Sequence, residues 1–489
     1  MGFGEEGKKI QKFFPSSLIT PQPLCGTKPY FIQRIGGTQK MKIEFGTARR
    51  IINPNVPISL AGYFNLRMWD HVKDDLEVRA VVFRKGPDYA AIIHFDLLCM
   101  PLYLCDAILM EIRKKGLSQF SRKNITLCAT HTHTAPEVRI GQGHNPEYVP
   151  FLAEKAAEAL EEAAGTLQHG ELFQGLTSDA RFLFNRRYWM KNGTVMTNPG
   201  KFNPEILRPE GEIDPEIPIL AVKQNDKIKL LITSIVNHAD TVGGNGVSAD
   251  WPGFYRRILQ QKLGENSMVV SLTGAEGNIN HVDITNPDKQ NSYEEAERIG
   301  TGYAETVWNA LDSLNPVEGE SMKTVFGEVI TPPREISAEE IDEAKQIIAK
   351  YPDADINAGT LHSNDLAKGA PAVLKYFASA LLEKAAQKEN MRLYLTGIAF
   401  GSSFLLASLP SEPFTEIGLT VRKGIFPERI CMITALANGT GTYTNHSGYI
   451  PNPWNYGRGG YEPTPRSNPY SMKTAENLLA KWRELSRGI

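Results

Sequence analysis

Four apolar runs of this 489-residue chain end in residue types that bind metals or move protons. NITLCAT leads into His131-Thr132-His133-Thr134-Ala135-Pro136-Glu137, and KLLITSIV leads into Asn237-His238-Ala239-Asp240. MVVSLTG leads into Ala275-Glu276-Gly277-Asn278-Ile279-Asn280-His281, and FLLASLP leads into Ser411-Glu412. In an extended chain, residues two apart point to the same side, so His131 and His133 can face one centre. Imidazole nitrogens with a carboxylate oxygen form the ligand set of catalytic zinc, which keeps one position open for water. The ordinary role of a lone histidine is a hydrogen-bonded structural one. His94, inside an apolar run, and His71, His169 and His362 are assigned to it. The His131/His133 pair alone fits either role, and His238 and Glu412 join it only if the fold brings them there.

The elements that must hold these residues are of two textures. Runs of strand length and strand composition are AVVF (80–83), YAAIIHFDLLCM (89–100), NITLCAT (124–130), KLLITSIV (229–236), MVVSLTG (268–274), LYLTGIAF (393–400), FLLASLP (404–410) and ICMITALAN (430–438). Helical periodicity marks 149–167, 292–314, 337–351, 371–388 and 472–485, with Ser337 and Glu340 forming a capping box. The two textures mix from end to end, and 393–400 and 404–410 are close enough for a hairpin. The expected class is therefore α/β or mixed α+β, one large domain over 41–489 of mixed β-sheets flanked by helices. Residues 1–40 lack a clear period and read as an N-terminal extension. The stretch 440–470, rich in Gly, Pro, Asn and aromatics, reads as a functional loop.

Composition limits the function. Lys and Arg number 53 against 55 Asp and Glu, a formal net charge of −2 with no basic block, which argues against nucleic acid as a partner. Five cysteines without CxxC spacing are no disulfide framework, and Cys99, Cys105 and Cys128 lie in apolar runs as small buried hydrophobes. No apolar run reaches the roughly 18 residues of a membrane span, and the N-terminus shows no secretory h-region. The expectation is a soluble, cytoplasmic protein acting on a small molecule.

ATHTHTAPE resembles the HTHSGP segment of the neutral/alkaline ceramidase family, and other landmarks follow in the family's order. GTARRIINPNVPISLAGY is similar to its opening strand and turn, ASLPSEPFTEIG to its PGEFT segment, and GYIPNPWNYGRGGYE to its later tyrosine segment. There Tyr449 and Tyr461 stand twelve residues apart, as the family's two tyrosines do. The likeness spans roughly residues 42 to 485, the family's N-terminal catalytic domain without its C-terminal immunoglobulin-like domain. It implies a ceramidase N-terminal-domain-like fold with zinc (Zn2+) bound by His131, His238, Glu412 and Tyr449. His133 would lie beside the metal, and Arg186 and Tyr461 would line the site. Arg187 is adjacent, so a register shift of one would exchange the two arginines.

Two departures stand out. Gly277-Asn278-Ile279-Asn280-His281 occupies the GDVSP-like segment and puts Asn280 where the family's proposed nucleophilic serine stands. Asparagine forms no covalent intermediate, although its amide can donate to an oxyanion. TGTYTNHS is inserted ahead of Tyr449, with His446 read as a loop residue. The expected function is a zinc-dependent hydrolase cleaving an amide (or ester) of a small, polar substrate by metal-activated water. Its alternatives are a true ceramidase or N-acyl amidase on a lipid, a hydrolase of a carbohydrate derivative, and a non-catalytic metal-binding relative.

Overall fold

A computed structural model describes residues 40–489 apart from Phe64, Gln142, 356–368 and 440–447. The extension expected over 1–40 (Lys40 excepted), His362, and the TGTYTNHS insertion with His446 lie outside the described residues. Those described belong to the compact unit Gln39–Ile489.

A large mixed sheet is built from β1 (Lys42–Ile51), β2 (Glu77–Lys85), β3 (Asp88–Phe95), β4 (Ile125–Ala129), β5 (Gln168–Ser178), β6 (Glu216–Gln224), β7 (Lys227–Ile235) and β8 (Met268–Thr273). Their order is β8-β7-β6-β5-β1-β2-β3-β4, with Asn315–Pro316 added alongside β5. Neighbours are antiparallel except β3 with β4 and β7 with β8, the two parallel pairs at its edges. Four helices accompany it: α1 (Leu102–Lys114), α2 (Tyr148–Gly165), α3 (Asp250–Leu263) and α4 (Tyr293–Ala310). A second sheet, β9 (Met322–Thr331), β10 (Met391–Phe400), β11 (Phe404–Ser408) and β12 (Ile430–Thr434), runs in that order. The expected hairpin is its antiparallel β10–β11 pair, and β11–β12 is parallel. The remaining long helices are α5 (Ala338–Lys350), α6 (Pro371–Ala385) and α7 (Thr474–Leu485), and α5 opens with the expected Ser337/Glu340 capping box.

Strand alternation explains the layering. On β2, Val78, Ala80 and Val82 pack with Leu104 and Ile108 of α1 and Leu152, Ala156 and Leu160 of α2. The intervening Val81 and Phe83 join Phe400, Phe404, Leu406 and Met432 of the second sheet. Residues Ile219, Leu231 and Val269 of the other half of the large sheet face Trp251 and Tyr255 of α3 and Tyr303 of α4. The outer face of the second sheet, with Leu395, Leu405 and Ile433, is covered by Leu478 and Trp482 of α7. The result is four layers: helix, sheet, sheet, helix. Cys99, Cys105 and Cys128, together with Cys431, are free and buried as expected.

The edges of the large sheet meet beyond the strand ends. Thr273 Oγ1, closing β8, donates to the carbonyl of Thr130 just past β4 at 3.1 Å. The segment leaving β12 bridges both, with Ala435 N to Thr273 O at 2.7 Å and Asn438 N to Leu127 O at 2.7 Å. The exits of β4, β7, β8 and β11 thus lead to one place. Among the described residues no helix is long and apolar enough to cross a membrane.

Candidate metal centre

The His131/His133 pair faces one centre, but strand alternation is not the reason. Strand β4 ends at Ala129, and His131 adopts a left-handed backbone with φ of 68°. It is held there by its N–H to Leu97 O at 2.9 Å. Its Nδ1 lies 2.8 Å from the Leu98 carbonyl, which can only accept, so Nδ1 carries a proton and Nε2 is the nitrogen that faces the centre. His133 is tied to the exit of β7 through its N–H to Ala239 O at 3.0 Å, and its Nε2 lies 3.3 Å from His131 Nε2. Arg67 gathers the surrounding loops by donating to the carbonyls of His133 (2.7 Å), Ala61 (2.6 Å) and Gly244 (2.6 Å). Gly62, at φ of 94°, lies against the His133 ring, where a Cβ would sit 2.5 Å from Cγ.

His238 follows β7 directly and has no exposure; its carbonyl accepts from Trp251 Nε1 of α3 at 2.7 Å. Glu412 follows Ser411, another left-handed residue with φ of 56°. Glu412 Oε2 lies 3.4 Å from His131 Nε2 and 3.6 Å from His238 Nε2. Strained backbone beside two of the converging side chains fits a site whose geometry the fold imposes. The short strand Glu412–Pro413 pairs in parallel with Tyr449–Ile450, Glu412 opposite Tyr449. The Tyr449 hydroxyl is 3.4 Å from that of Tyr461. Arg186 packs over both rings, at 5.2 and 5.6 Å, and its Nη1 lies 3.1 Å from His238 Nε2. Arg186 thus packs against Tyr449, Tyr461 and His238, while Arg187 turns to Glu210 and Glu462.

Asn280 lies two residues beyond Asn278, whose carbonyl accepts from Arg186 N at 2.9 Å. Its short strand Ile279–Asn280 pairs with Phe184–Asn185. One side-chain N–H goes to Asn198 Oδ1 at 3.0 Å, and Oδ1 accepts from Val282 N at 3.1 Å. One amide hydrogen remains for another acceptor.

Charge is concentrated here out of reach of water. Burial depresses the imidazolium of His131, yet the neighbouring Glu412 carboxylate outweighs it and raises the pKa to about 9. Burial, together with the Arg186 charge, lowers His238 to about 4. His133 is pushed well below its ordinary value by burial and by His131. Glu412 resists burial because His131 and His238 hold it well below the usual carboxylate range. Burial lifts the hydroxyl of Tyr461 to about 12 and pushes that of Tyr449 well above its ordinary value.

Two overlapping groups could hold a metal ion, His131 with His133 and His238, and His131 with Glu276 and Glu412; within each, the ligand atoms lie within 4.8 Å of one another. The donor set also has unmet valences that a cation would fill: Glu412 Oε2 and both oxygens of Glu276 are buried without a hydrogen-bond partner among the described residues. Glu276 was missed as a ligand candidate, although it follows β8 just as His131 and His238 follow their strands. Glu462, directly after Tyr461, was missed as well; it holds Arg186 Nε at 3.1 Å. Asp240, half-buried, pairs with His281 at 3.1 Å and completes the ionic surroundings. A separate cavity of about 450 Å³, lined by Gln174, Glu216, Arg422 and Arg429 among others, shares none of these residues.

No family model matches the chain, and no curated protein matches it. Its fold is similar to solved structures. Neutral ceramidase from Pseudomonas aeruginosa aligns with a TM-score of 0.66 at 14% identity, covering 92% of this chain and 74% of that one. A ceramidase complexed with C2 aligns with a TM-score of 0.66 at 16% identity, covering 91% and 75%. At such identities the likeness is one of fold, and it agrees with the mixed α/β class and the ceramidase-like architecture expected from the sequence.

Proposed function

We propose that the protein is a zinc-dependent hydrolase cleaving an amide (or ester) bond in a small, polar substrate. The observation that carries this reading is the approach of His131 Nε2 and His238 Nε2 to Glu412 Oε2, at 3.4 and 3.6 Å, from three separate strand exits. Two ceramidases sharing the fold support the reaction class. His131, His238, Glu412 and the Tyr449 hydroxyl would hold the ion. Zinc held there would supply a Lewis acid and would lower the pKa of a water to about 7, so that no serine nucleophile would be needed.

The chain's own groups do the rest. His133, kept neutral and with Nε2 facing the centre, accepts a proton and returns it to the leaving amine. Tyr461, protonated across the physiological range, donates its O–H to the carbonyl oxygen as charge develops there. The free amide hydrogen of Asn280 is a second donor. Arg186, fixed by Glu462 and by Gly277 O at 2.8 Å, orients an anionic or hydroxyl-bearing part of the substrate.

The test combines elemental analysis with His131→Ala. Zinc should be present at one per chain in the wild type, and both the metal and amidase or esterase turnover should be lost in the variant. Equal activity with and without bound zinc defeats the proposal. Asn280, in place of a hydroxyl nucleophile, favours one second reading, a metal-binding relative without turnover. Zinc present with no hydrolysis across an amide and ester panel selects that reading.

A further inference from the structure

The geometry points to Glu276 as a further ligand of the metal centre, adding a second carboxylate beside His131 and Glu412 for a divalent cation. This inference rests on the reading that the centre binds a metal, and it adds a residue the family resemblance does not supply.

Main-chain packing places Glu276. Gly277 N donates to Pro413 O at 2.9 Å, and a Cβ on Gly277 would lie 2.4 Å from the carbonyl oxygen of Glu412. The segments carrying the two glutamates thus run against each other at a distance only glycine permits. Their carboxylates consequently share a space with His131, with ligand atoms no more than 4.8 Å apart.

Among the described residues nothing donates to the Glu276 side chain: it has no exposure, and neither oxygen has a hydrogen-bond partner. Glu462 is buried to the same degree and shows what a structural carboxylate looks like here: it accepts from Arg186, Arg187 and Thr197. A buried carboxyl group left without donors is costly, and a second carboxylate beside it adds repulsion. A divalent cation removes both penalties, because it ligates one oxygen from each glutamate and offsets their charge. Oxygen ligands alongside imidazole also broaden the acceptable ions from zinc toward harder ones such as Mn2+.

Glu276→Gln keeps the shape of the side chain and removes its charge. Binding of Zn2+ and of Mn2+ to the chelator-stripped full-length chain is measured by calorimetry for wild type, Glu276→Gln and His131→Ala. Melting temperature is recorded with and without each ion. The expected result is at least tenfold weaker binding by Glu276→Gln, with a smaller metal-induced rise in melting temperature. Without metal the same variant should melt no lower than wild type, which separates loss of a ligand from damage to the fold. If Glu276→Gln binds both ions as tightly as wild type while His131→Ala does not, Glu276 is no ligand and the inference is overturned, leaving the hydrolase proposal intact. If wild type itself binds neither ion, the metal-centre reading fails and this inference with it.

Discussion

Glu462 and the two arginines around it are the most exacting residues of the site. Its Oε1 accepts from Arg186 Nε, and its Oε2 accepts from Arg187 Nη1 at 2.5 Å and Thr197 Oγ1 at 2.6 Å, all in the interior. Glu210 balances the second guanidinium from its other side. Removing one partner of a buried ion pair costs about 3–5 kcal/mol, since the remaining charge has no solvent to turn to. Glu462→Gln should lower stability by about that amount in urea titrations. Arg186 would lose the contact that holds it over the Tyr449 and Tyr461 rings, so KM should rise more than kcat falls. A variant with unchanged stability would show that the two arginines are satisfied without this carboxylate.

At the level of elements, eight of the twelve numbered strands and the five periodic helices were legible in the sequence, because apolar runs and 3.6-residue spacing are local properties. The helix read over 149–167 spans Tyr148–Gly165, and the one read over 292–314 spans Tyr293–Ala310 before a short 3-10 turn. Helices α1 and α3 were not read. The run 89–100 is apolar into α1 without a break, although its strand stops at Phe95. Pro252 and Gly253 disguise α3, yet they fall in its first turn, where a missing N–H costs nothing. The candidate site was legible as residue types at strand exits. Its convergence was not, since left-handed turns at His131 and Ser411 and the pairing of Glu412 with Tyr449 depend on distant parts of the chain. The same non-local packing gives a prediction for Gly277→Ala. An added methyl must displace the main chain of Glu412, an overpacking worth about 1–3 kcal/mol. Zinc affinity should fall with it, measured by calorimetry; unchanged affinity would mean that the spacing of these two segments does not set the centre.

At the scale of the whole molecule, near-neutral charge leaves little global repulsion, so acid sensitivity must come from individual buried groups. His94 is the clearest of them away from the metal centre. It lies opposite Arg79 on the β2–β3 pair, has no exposure, and shares its surroundings with Asp96 and with Arg256 of α3. Burial, reinforced by the Arg256 charge, lowers its pKa from 6.5 to about 3. The folded protein therefore keeps His94 neutral where the unfolded chain already binds a proton. Stability contributed by the neutral ring is complete above 6.5 and declines as pH falls from there toward the folded value of about 3. The slope from this one group is about 1.4 kcal/mol per pH unit. Unfolding free energies of wild type and His94→Gln, measured by urea titration between about pH 4 and 6, isolate it because other titrating groups are common to both. The wild-type curve should fall more steeply by about that slope. Parallel curves would mean that His94 accepts a proton inside the folded protein, with Asp96 outweighing the two arginines.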